Sequence, residues 1–167
     1  MVSSIRSASL VRLAVITLVA VASPSLTTGQ HEHAAGAPAV GNIKPDAGRK
    51  WSTDAPLQAG MAAIRAAFDA DHPAIHAGKE TDEQYEALAA RIESQVNAIV
   101  ANCRLPADAD ENLHYVRADL ASGVNLMRGR DPARTRHDGA ARVHGALLAY
   151  GKYFDDPAWA VEAASEH

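Results

Sequence analysis

The stretch TDEQYEALAARIESQVNAIVANC, residues 81–103, decides the fold. Its larger apolar side chains, Tyr85, Leu88, Ile92, Val96, Ile99 and Cys103, recur at steps of three or four. That stepping lines one face of an α-helix and fits no strand. The helix is expected to start near Thr81 or Asp82, and Pro106 stops it, because proline offers no N–H to continue the ladder.

The same stepping continues on both sides. Asp54 is a good N-cap, Pro56 is tolerated in a first turn, and Leu57, Met61, Ile64 and Phe68 form the stripe of a preceding helix. The segment DHPAIHAGKE, residues 71–80, is expected to break it. Downstream, Asp108 or Asp110 caps a third helix carrying Leu113, Val116, Leu120, Val124 and Met127, and GRDP ends it. Asp131 with Pro132 opens a fourth helix, carrying Ala140, Val143, Leu147, Tyr150 and Phe154. In the tail DDPAWAVEAASEH, Asp156 caps a short final helix, Pro157 is its first residue and Trp159 its large apolar anchor. Four stripes joined by short connections predict an all-α, up-down-up-down four-helix bundle with a short C-terminal helix.

The start of the chain has a different character. Arg6 and Arg12 precede or flank the apolar run Leu13 to Ala22, and the small-residue stretch SPSLTTG follows. This order is that of a secretory signal peptide, residues 1–29, with cleavage after Gly29 or, as second choice, after Ala22. The run is short for a span, and no later segment is apolar enough to cross a membrane, so no integral membrane association is expected after cleavage. A Gram-negative periplasm fits best. Residues 30–50, rich in Ala, Gly and Pro, read as a flexible leader, and residues 51–167 as the bundle domain. The formal charge of −4 becomes −6 without the signal's two arginines, which argues against nucleic acid as a partner. A single cysteine excludes an internal disulfide.

Antiparallel helices bring the start of the first, the end of the second, the start of the third and the end of the fourth to one end. Met61, Cys103 and His114 then share that end, with Trp51, Tyr150 and Trp159 as a shielding shell. Thioether, thiolate and imidazole together suit copper, Cu(I) above all, so a copper ion is the suspected cofactor. At the opposite end His72, His76, Met127 and His137 form a second-choice set for copper or zinc. His31 and His33 in the leader could hold Cu(II) or Zn(II) loosely. His144, beside Val143 and Leu147, reads as a hydrogen-bonded core histidine. No catalytic residues are assigned: there is no nucleophile elbow, HEHAA lacks the second histidine of a zinc protease, and there is no C-x-x-C-H for covalent haem.

Three segments, APLQAGMAAI around Met61, GVNLMRGRDPA at the third turn and GALLAYGKYF near the end, resemble the soluble b-type four-helix cytochromes of the periplasm. That resemblance implies non-covalent haem with Met61 as one axial ligand, but Gly151 stands where the family's histidine ligand follows an Ala-Tyr pair. His114 or His144 would have to substitute. Over nearly the whole mature chain, WSTDAPLQAGMAAIRAA, IVANCRLPADADENLH and YGKYFDDPAW are similar to small exported proteobacterial proteins labelled DnrO-like. The resemblance implies export and places Met61, Cys103 and His114 inside family motifs. The expected function is that of a periplasmic transition-metal carrier, buffer or sensor. Haem binding with electron transfer is the first alternative, and a metal-free structural or interaction protein the second.

Overall fold

The computed structural model of the protein describes residues 36–160. The expected signal segment and His31 and His33 lie outside the described residues. The described chain is all-α. It contains a short 3-10 turn at Ala39–Asn42, then α1 (Ala55–His76), α2 (Asp82–Asn102), α3 (Ala107–Met127), α4 (Arg136–Tyr153) and the one-turn α5 (Pro157–Ala160). No helix among the described residues is long and apolar enough to cross a membrane.

Consecutive long helices pack on one another, and α1 also touches α4. The stripes read from the sequence supply the core: Leu57, Met61, Ile64 and Phe68 from α1, Leu88, Ile92 and Ile99 from α2, Leu113, Val116, Leu120 and Met127 from α3, and Val143, Leu147 and Tyr150 from α4. Phe154 follows α4 as its C-cap and is fully buried. Asp54 caps α1 by accepting the Leu57 N–H at 2.9 Å. Thr81 and Gln84 form a reciprocal capping box on α2, and Thr135 and Asp138 do the same on α4.

Four boundaries differ from expectation, each for a local reason. First, α1 runs through Pro73 to His76 instead of breaking at residue 71. Proline there forfeits one N–H near the end of the helix, while buried Ile75 anchors the last turn. The stop comes at Gly78, whose φ of 64° is a left-handed value that glycine adopts without Cβ strain. Second, α3 starts at Ala107 with Pro106 as N-cap, and Asp108 and Asp110 sit in the first turn, where their charge suits the helix dipole. Third, α4 starts at Arg136, because the Thr135–Asp138 box outcompetes Asp131, whose carboxylate accepts the Ala133 N–H in a turn.

The fourth difference concerns the expected leader. Its greater part, from Gly36 to Lys50, lies on α3 and α4 as a strap. Ile43 is buried, Val40 N–H donates to Asp119 Oδ2 at 2.9 Å, and Lys44 N–H donates to Asn112 Oδ1 at 2.8 Å. Arg142 donates to the Gly36 carbonyl at 2.6 Å and pairs with Asp119 at 3.1 Å. Low apolar content was a fair reason to expect disorder. The strap is held instead by side chains on α3 that satisfy its backbone, which local composition does not reveal.

Candidate metal site

The four helix ends expected to share one end do meet. Asp54 at the start of α1 accepts the Arg104 N–H just past α2 at 2.6 Å. Cys103, the C-cap of α2, donates its thiol to the same Asp54 carboxylate and feels the charge of Asp110 on α3. Tyr150, near the end of α4, feels both Cys103 and Asp54. Its hydroxyl donates to buried Asp156 at 2.9 Å, and Trp159 stands edge-on to its ring at 5.0 Å. Trp51 is half-buried, bridges backbone with Phe154 and donates its indole N–H to the Lys44 carbonyl at 2.8 Å. The three aromatics of the expected shell therefore do stand at this end.

The three ligands expected inside that shell occupy three different environments. Met61 is 1% exposed and packed in the core. His114 lies on the outer side of α3, beside Val96 and Val100 of α2. Cys103 stays with Asp54. Burial first, then the Asp54 carboxylate, push its thiol up to about 12. Burial also works to raise the Asp54 carboxyl, but the N–H donors of Arg104 and Leu57 outweigh it and hold it below the usual range. A thiol beside an anion is the reverse of what thiolate ligation needs, since metal-binding and reactive cysteines sit in electropositive surroundings. The side-chain directions do not gather Met61, Cys103 and His114 into a shared ligand set. Glu111 and His114 make a Glu-x-x-His pair on α3, but both are exposed, whereas di-iron bundles aim such pairs inward.

This environment has a measurable consequence. Alkylation of Cys103 at pH 8 is expected to be slower than that of a free peptide cysteine by on the order of a hundredfold. Asp54→Asn removes the facing charge and should accelerate it several-fold. A wild-type rate matching the free peptide would show that the thiol is not held by Asp54.

The haem reading meets a similar obstacle. Met61 is enclosed by packed side chains, and among the described residues two open clefts, of about 730 and 740 Å³, do not include it in their linings. The residues present do not fit haem with Met61 as axial ligand.

The opposite end is rearranged in the other direction. Because α1 continues past Pro73, His72 and His76 stand at i and i+4 on one helix face, with ring centres 6.1 Å apart. Across the seam with α4, the His144 ring centre lies 5.7 Å from that of His72. Phe68 underlies both, at 5.6 Å from His72 and stacked on His144 at 5.5 Å. All three imidazoles are exposed. The other members of the second-choice set do not join them. Met127 is fully buried between α3 and α4, and His137 is exposed nearly two turns before His144 on α4.

His144 is the ligand candidate that the sequence reading misplaced. It follows Val143 by one position, hence roughly 100° round the helix. That puts it at the edge of the buried stripe, facing the neighbouring helix at the surface. Among the described residues no group of three or more His, Cys, Asp or Glu side chains already converges on a metal-sized point. His72 stands edge-on to His76 and tilted to His144, and of the three rings His144 is the one stacked on Phe68. Two imidazoles on one ion at about 2.0–2.1 Å have ring centres roughly 4.5–5 Å apart. The His72–His76 and His72–His144 pairs stand about an ångström beyond that separation.

No protein family, curated protein or solved structure matches the chain.

Proposed function

We propose that this protein is an exported transition-metal binder, copper first, acting as a carrier, buffer or sensor in the periplasm. Its frame is an up-down-up-down four-helix bundle, and its ligands are His72, His76 and His144. The observation that carries the reading is the set of three exposed imidazoles at the α1/α4 seam, two of them at i and i+4. That spacing is one by which a helix presents paired histidines to zinc. An all-imidazole set suits copper, zinc and nickel, and among divalent ions copper is generally held most tightly. The favoured copper state therefore moves from Cu(I), expected with a thiolate and a thioether, to Cu(II). The run Leu13 to Ala22 with Arg6 and Arg12 supports export.

Titration of the purified chain with Cu(II) and Zn(II) by calorimetry tests the reading. One ion per chain is expected. His72→Ala and His144→Ala should each weaken Cu(II) binding at least about tenfold, and Cys103→Ser should leave it unchanged. Protons compete for imidazole, so affinity should fall as the solution is acidified below neutrality. Loss of binding in Cys103→Ser with none in the histidine variants would return the site to Met61, Cys103 and His114. Absence of Cu(II) binding by the wild-type chain would leave the protein as a metal-free interaction module.

A further inference from the structure

On the side of the molecule formed by α2 and α3 there is an open groove of about 730 Å³. Val96 and Val100 form its α2 wall, and Val100 is 56% exposed, one of two large apolar side chains so displayed among the described residues. The floor on α3 is made of small side chains, Ala118, Ala121 and Ser122. Their spacing follows one helical stripe, so a cylinder laid along the groove could approach the backbone closely.

The ends of the groove are basic. Arg117 lies toward the start of α3 and Arg130 just beyond its end, with Asp131 as the single acidic lining residue. Among the described residues Arg117 makes no salt bridge, and Arg130 makes none within contact distance: it donates to the amide oxygen of Asn125 at 2.7 Å and acts on Glu93 of α2 through its charge alone. A chain of net charge −4 thus presents cations at both ends of its apolar groove. The two arginines are separated by ten residues of helix at about 1.5 Å each and a three-residue turn, on the order of 15–20 Å. That is too long for one small anion to bridge, and it matches about three to four turns of a bound helix.

We infer that the α2/α3 groove docks an amphipathic helix from a partner protein, with an apolar face and acidic residues near both ends. Charge decides against a second copy of this chain. A two-fold arrangement of two such faces brings Arg117 of one against Arg130 and Asp131 of the other, two guanidinium groups to one carboxylate at each end. An acidic helix complements both ends and covers Val100. This is the helix-in-groove mode, with apolar anchors for affinity and charged rims for orientation and partner choice. The inference does not rest on the metal site, which lies on α1 and α4.

The test uses a fluorescent synthetic peptide, about 18 residues long, with a Leu/Ala stripe and glutamates near both ends, against the full chain. Its control carries lysine for every glutamate. Anisotropy should show saturable binding of the acidic peptide, at least about tenfold tighter than the control and weakened by salt. Arg117→Glu with Arg130→Glu should reverse the order of the two peptides, and Val100→Asp should weaken both. These positions are surface-accessible, and circular dichroism of the variants checks that the fold is kept. Equal affinity for the two peptides, no binding of either, or a dimer whose formation depends on Val100 in sedimentation would overturn the proposal.

Discussion

Gly139→Ala is expected to destabilise the protein by about 2–3 kcal/mol, although alanine is the better helix former by about 1 kcal/mol. The opposing effects can be weighed from the contact between α3 and α4. A Cβ built on Gly139 falls 2.6 Å from the Gly123 carbonyl oxygen, 2.6 Å from the Met127 nitrogen and 2.8 Å from Met127 Cγ. Gly123 is the reciprocal case, with its Cβ position 2.8 Å from the Gly139 carbonyl oxygen and 2.7 Å from a Val143 methyl. Two of the atoms in the way of Gly139 are backbone, so relief requires moving one helix away from the other. The control lies on the same helix. Gly145 has nothing within 4 Å of a Cβ, so Gly145→Ala should stabilise by about 0.5–1 kcal/mol. Urea unfolding of both variants gives the answer. If Gly139→Ala matches Gly145→Ala in sign, the two helices are not in backbone contact as described.

Asp119→Ala is expected to cost about 3–5 kcal/mol, a fall in Tm of about 10–20 °C. The Asp119 side chain is 2% exposed and its ion-pair partner Arg142 is 9% exposed. One carboxylate oxygen takes the guanidinium, and the other takes the Val40 N–H of the strap. Removing the carboxylate leaves a nearly buried cation without its counter-charge and detaches a strap residue at once. Replacing both members of such a pair by apolar groups is often close to neutral, whereas removing one is not. Asp119→Leu combined with Arg142→Leu should therefore recover much of the loss. Proteolysis within residues 36–50 should accelerate in Asp119→Ala, because the strap loses the Val40 contact. A loss below about 1 kcal/mol would mean that the pair is open to water in solution.

The helices themselves were legible, since an apolar stripe at steps of three and four gives the same result whatever it packs against. Leu57 to Phe68, Tyr85 to Ile99, Leu113 to Met127 and Ala140 to Tyr150 all lie on the helices expected of them, and nearly all are buried. The strap was not legible. Its backbone partners, Asp119 and Asn112, lie 79 and 68 positions away, and nothing local marks them. A polar residue inside a helix stripe is the only hint, and it fits a solvated position equally well.

The site divides in the same way. The sequence by itself determined that the chain is helical, which side chains are apolar, and which helix ends can be neighbours, because helical period and connection length depend on local covalent geometry. Only the tertiary structure decided what those neighbours do to one another. Asp54 sits against Cys103 and keeps a possible metal ligand as a thiol. One turn of α1 survives past Pro73 and turns two loop histidines into a helical pair. The packing of α1 on α4 then brings His144 to within 5.7 Å of His72. Burial, charge and side-chain direction are set by residues distant in the chain, and those are what separate a sulfur in the core from an imidazole at a seam.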